Sequence, residues 1–113
     1  MDLIEKLTRE IEESCKIDTE LFSKYDVKRG LRNRDHTGVL VGLTNIGDVI
    51  GYEMQEGNPV PVQGRLYYRG VEVKDIVNGF QQEKRHGFEE TVYLLLTGKL
   101  PGTDTLSQFK NYL

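Results

Sequence analysis

Residues Gly87 to Pro101 read GFEETVYLLLTGKLP, and this stretch decides how the rest of the chain is parsed. Phe88, Val92, Leu95 and Leu96 recur at helical spacing and predict an apolar stripe facing the core. Glu89 and Glu90 stand at the positive helix start, Lys99 at the negative end, and Gly98 and Pro101 supply the stop. Working outward, Val73, Ile76, Val77 and Phe80 make a second stripe on a short helix, with Lys74 and Asp75 facing water. On the other side, Thr103 or Asp104 is placed to cap a helix whose Leu106, Phe109 and Leu113 share a face. That last helix carries no C-cap, which leads us to expect a truncation inside an element.

Towards the amino terminus the period changes. Between Val39 and Tyr68, β-branched and aromatic residues separated by Gly, Asn and Pro predict short strands and turns. Val39 to Leu43 and Asp48 to Tyr52 are the apolar runs, with Asn45 and Gly47 as turn residues between them. Glu56 to Pro59 reads as a loop, and Pro59 and Pro61 consign Val60 to Val62 to an edge or extended chain. Gln63-Gly64 reads as a turn into a half-exposed strand, Arg65 to Arg69. Earlier still, Leu3, Ile4, Leu7, Ile11 and Cys15 predict an amphipathic helix, and Asp18 or Thr19 a cap for a short second helix carrying Leu21, Phe22 and Tyr25.

Composition narrows the function classes. The chain has 113 residues, 37% of them hydrophobic and 29% charged, so its core is thin for a free-standing domain. A formal charge of −3 gives no overall field for a polyanion, which argues against a nucleic-acid binder. Neither a signal peptide nor an apolar run of the ~20 residues that span a bilayer is found, and the single Cys15 fits a reducing compartment, so no membrane association and a cytoplasmic location are expected. His36 and His86 sit in loops, with no carboxylate or cysteine at metal-ligand spacing, so no metal site is expected. The glycines at 38, 42, 47 and 51 do not compose a dinucleotide fingerprint.

Three motifs in order, GVLVGLT (Gly38 to Thr44), GRLYYRG (Gly64 to Gly70) and GFEETVYLLLTGKLP (Gly87 to Pro101), resemble the amino-terminal region of citrate synthases. KRGLRN (Lys28 to Asn33) resembles the entry to that region in bacterial citrate and 2-methylcitrate synthases. The resemblance implies a mainly α fold with a small antiparallel β region, the amino-terminal part of the citrate synthase fold. Residues 1–113 would form one fragment of its large domain: a helical lead-in over 1–30, short strands and turns over 38–70, and helices over 72–113. It implies a parent enzyme that condenses acetyl-CoA with oxaloacetate, works as a homo-oligomer and needs no cofactor, acyl-CoA being a substrate.

The family's catalytic His, His and Asp lie beyond the equivalent of Leu113, and neither His36 nor His86 stands in their context. No catalytic residue is therefore assigned, and the fragment is expected to be inactive. Within the basic cluster Lys24, Lys28, Arg29, Arg32 and Arg34, the resemblance singles out Arg32 as a phosphate contact for CoA. Two other readings are a free-standing, non-catalytic homologue acting as an interaction module, and a small RNA-binding module built on Tyr67 and Tyr68.

Overall fold

The computed structural model describes residues 2–27 and 38–113. Its elements in order are α1 (Leu3–Ser14), α2 (Glu20–Lys24), β1 (Gly47–Gln55), β2 (Asn58–Tyr68), β3 (Val71–Glu72), α3 (Val73–Gln82), α4 (Phe88–Thr97) and α5 (Thr103–Tyr112). The fold is thus mainly helical with a small antiparallel sheet of order β1-β2-β3.

The core lies between helices distant in sequence. Leu7 of α1, Tyr93 of α4 and Phe109 of α5 are buried together, with Leu3, Ile11 and Val92 packed around them. The rings of Tyr93 and Phe109 meet edge to face, with centroids 5.5 Å apart at 78°, the arrangement their quadrupoles favour. Ile4 and Cys15, assigned to the same stripe of α1, are exposed instead. Thr19, one of the two cap candidates, is the N-cap of α2 but makes no side-chain cap bond; the Asp18 carboxylate beside it accepts the Glu20 amide at 3.0 Å.

The sheet departs from the sequence reading at three points. Val39 to Leu43 forms no strand; glycines at 38 and 42 weaken the run, and Leu40 and Val41 are exposed. Glu56 to Pro59 is not an open loop. Glu56 (φ 50°) and Gly57 (φ 80°) both adopt the left-handed conformation, giving a two-residue turn that closes the hairpin at the Gln55–Asn58 pair. Pro59 and Pro61 therefore lie within β2, opposite Met54 and Tyr52. Finally, Gln63-Gly64 does not turn the chain: β2 runs through it, and the register slips between Ile50 and Tyr52 of β1. The extra residues of β2 form a bulge, a feature that sharpens the local twist without ending the ladder.

The helices keep their expected extents, but two faces are corrected. On α4 the buried residues are Glu90, Tyr93, Leu94 and Thr97, whereas Phe88 is 69% exposed and Leu96 40%. Polar side chains satisfied internally occupy two of the four inward positions, so the most apolar stripe is not the buried one. On α5 Phe109 is buried but Leu113 is exposed, and Gly102 rather than Thr103 or Asp104 occupies the N-cap. Gly98 ends α4 at φ 77°, its amide bonded to the Leu94 carbonyl at 2.8 Å, as the stop signal predicts.

Candidate functional site

Two features converge where the sheet meets the helices. The first begins at the turn joining β2 to β3. Arg69 and Gly70 both have positive φ, 50° and 81°, so a non-glycine residue is held in a conformation that costs about 1 kcal/mol. Its side chain supplies the compensation. Arg69 Nε donates to the Leu95 carbonyl at 2.9 Å. One terminal nitrogen donates to the Ser14 carbonyl and to Asn45 Oδ1, both at 3.0 Å. The other reaches Ser14 Oγ at 3.2 Å and the Leu96 carbonyl at 3.4 Å.

Ser14 ends α1, while Leu95 and Leu96 lie in the last turn of α4, so the guanidinium sits at the negative ends of two helix dipoles. Asn45 Nδ2 also donates to the Ser14 carbonyl at 2.6 Å, and Ser14 Oγ to the Leu96 carbonyl at 3.0 Å. One arginine therefore fixes α1, α4 and the approach to β1 relative to the sheet.

The second feature is an open cleft of about 350 Å³ between α3 and the start of α4. Val73, Ile76, Val77 and Phe80 line it from α3, Tyr68 from β2 and Phe88 from α4, with His86 in the lining as well. The stripe predicted on α3 is thus the wall of this cleft. Gly87 makes the approach possible: it has φ 79°, and a Cβ built on it would fall among the ring carbons of Phe80. Beside the cleft, Arg85 pairs with Glu83 and with the buried Glu90, donating through Nε to Glu90 Oε2 at 3.2 Å.

The cleft suits an apolar group and holds no acid–base pair of its own. Among the described residues no group of three His, Cys, Asp or Glu side chains is placed to hold a metal ion. No helix among the described residues is long and apolar enough to cross a membrane. Burial first, then the hydrogen bond to Glu10 and the Glu10 charge, push the Tyr93 phenol up to about 12.

Arg32, with Lys28, Arg29, Arg34 and His36, lies outside the described residues. Lys24, the remaining member of that basic cluster, stands 5.3 Å from the centre of the Tyr25 ring. His86 is exposed, and Tyr68 faces the cleft while Tyr67 pairs with Asp48 and Glu72 across the sheet. Sequence reasoning missed the Arg69 junction, the Tyr93–Glu10 hydrogen bond and the Arg85–Glu90 pair. The adjacent Arg69-Gly70 was the one visible signal, since a two-residue turn demands positive φ.

Comparison with known proteins agrees with the motifs. The family model described as "Citrate synthase, C-terminal domain" matches residues 31–113. A citrate synthase of Saccharolobus solfataricus is 33% identical over 84 residues, which cover 74% of this chain and 17% of that protein. No solved structure matches the chain. Through residues 31–113, which carry the sheet, Arg69 and the cleft, this chain belongs to the citrate synthase family.

Proposed function

We propose that this chain is the amino-terminal portion of a citrate synthase or 2-methylcitrate synthase, whose parent condenses an acyl-CoA with oxaloacetate. The observation that carries the reading is the family match over residues 31–113, which takes in all three motifs. Motif order supports amino-terminal placement, whereas the family model's description names a C-terminal domain. The order of the parent reading frame separates the two.

In this reading the segment is scaffold. Arg69 sets the angle between sheet and helices, and the apolar wall of α3 and Phe88 receives the remainder of the large domain. Such burial stabilises at roughly 25 cal/mol per Å² of apolar surface removed from water. The acid and base that act on the acyl-CoA methyl group come from elsewhere in the parent, and Arg32 contributes a phosphate contact to CoA. The parent works as a cytoplasmic homo-oligomer and takes up acyl-CoA as substrate.

The test is release of free CoA from acetyl-CoA and oxaloacetate, assayed with the purified chain and with the full parent. Turnover by the parent alone supports the proposal. Turnover that follows the 113-residue chain through purification would overturn the scaffold reading.

A further inference from the structure

The β1–β2 ribbon has two open edges that differ chemically. Among the described residues β3 covers β2 at Tyr67 and Tyr68, and β1 is an edge strand. Two observations fix which amides point outward. The Gln55–Asn58 pair closes a two-residue turn, and the Arg69 amide bonds the Ile46 carbonyl at 2.8 Å. Alternation from these ends leaves Val49, Tyr52 and Met54 of β1 with outward N–H groups, and positions 59 and 61 of β2 likewise facing out.

Positions 59 and 61 are prolines, which have no N–H, so the β2 edge cannot template a further strand. The β1 edge has no such block. Its Val49, Tyr52 and Met54 are 74%, 62% and 61% exposed. A two-stranded ribbon is marginal alone in water, so an added strand on this edge would stabilise it.

Charge selects the occupant. If a second copy paired through β1, the outward amides would set Val49 opposite Tyr52, and Asp48 would then face Glu53 twice. Like charges directly opposite destabilise such a pair. From Gly47 to Asn58 the ribbon carries Asp48, Glu53 and Glu56 and no Lys or Arg. Glu53 is held by Arg65 at 3.0 Å, while Asp48 and Glu56 have no ion-pair partner among the described residues. We propose that the outer edge of β1 receives an extended, basic segment of a partner protein by strand addition. Backbone hydrogen bonds supply the attachment, and cations opposite Asp48 and Glu53 supply register. The proposal does not depend on the citrate synthase reading.

A blocked peptide, Lys-Thr-Val-Thr-Lys, carries its lysines four residues apart on one face, as Asp48 and Glu53 share one face of β1 across the irregular Gly51. Titrated into the chain, it should shift the amide resonances of Val49, Tyr52 and Met54, with affinity that falls as salt rises. N-methylation of the peptide backbone should weaken binding at least about tenfold, and so should Tyr52→Pro, which removes an outward N–H and spares the β1–β2 bonds. Asp48→Lys, at an exposed position, should transfer preference to the peptide with Glu in place of the one lysine opposite position 48. Equal binding of the N-methylated peptide, shifts elsewhere, or no binding at millimolar peptide overturns the proposal. So does a dimer held through β1, which would assign the edge to a second copy.

Discussion

The Tyr93 hydroxyl donates to Glu10 Oε2 at 2.7 Å, across 83 residues of sequence, from inside the core to the flank of α1. Burial first, and then this bond and the Glu10 charge, make the phenol the better form in the folded chain, and the bond ties α1 to α4 by a polar contact within an apolar cluster. Its pKa of about 12, against 10.0 for a free tyrosine, means that folding favours the protonated ring. The stabilisation is complete below pH 10 and is lost as pH rises through 12. Tyr93→Phe should therefore lower stability at pH 7 by about 1 kcal/mol and remove the loss between pH 10 and 12. Urea titrations at pH 7, 10 and 11.5 check both; an unchanged alkaline loss in the variant would show that another group is responsible.

Gly87 and Gly98 share a left-handed backbone but differ in surroundings. At Gly98 an added Cβ meets only Ser14 Cβ at 3.6 Å, whereas at Gly87 it meets the Phe80 ring. Gly98→Ala should cost about 1 kcal/mol for conformation, and Gly87→Ala a further ~1–3 kcal/mol for overpacking. In a Phe80→Ala background the excess at Gly87 should disappear. Thermal denaturation of the four variants measures it, and equal losses at the two glycines would dismiss the steric part.

Arg69 joins a strained turn to two helix ends, so charge alone cannot replace it. Arg69→Lys should destabilise by about 2 kcal/mol, because an ammonium on a flexible stem cannot reach Leu95, Ser14 and Asn45 together. Arg69→Gly relieves the positive φ yet should lose at least as much. Chemical unfolding decides between them; a glycine variant as stable as the parent would mean that the turn alone matters.

Arg32 is tested in the full-length parent. Arg32→Ala should raise the acetyl-CoA KM by roughly 10-fold or more, as expected for losing a charge-assisted phosphate contact, and leave the oxaloacetate KM near its original value. Steady-state kinetics with each substrate varied separately give the answer. An unchanged acetyl-CoA KM removes the phosphate role.

Helix positions were legible wherever caps and stripes agreed, as with Gly98 closing α4 and Thr19 opening α2. Facing was less legible. Glu90 and Thr97 point inward because Arg85 and the Tyr93 and Lys99 carbonyls satisfy them, and no hydrophobic periodicity records partners that distant or that local. The ribbon was misread for a related reason. Pro59, Pro61 and Gly64 are breakers on average, yet each is tolerated at the β2 position it occupies, two at outward amides and one in a bulge. The family was readable from motif order, whereas the junction around Arg69 needed three-dimensional proximity among residues 14, 45, 69 and 95.

That junction also sets an order of events. The two hairpins need only neighbours and can close within microseconds, but the guanidinium spans separations of 55, 24 and 26 residues, each a longer loop to close. Detachment of α1 would release Ser14 from the fork, uncover the Tyr93–Phe109 contact and leave the ribbon standing. Amide exchange should then divide the chain into a slowly exchanging α3–α4 unit and an amino-terminal arm whose protection rises and falls with Arg69.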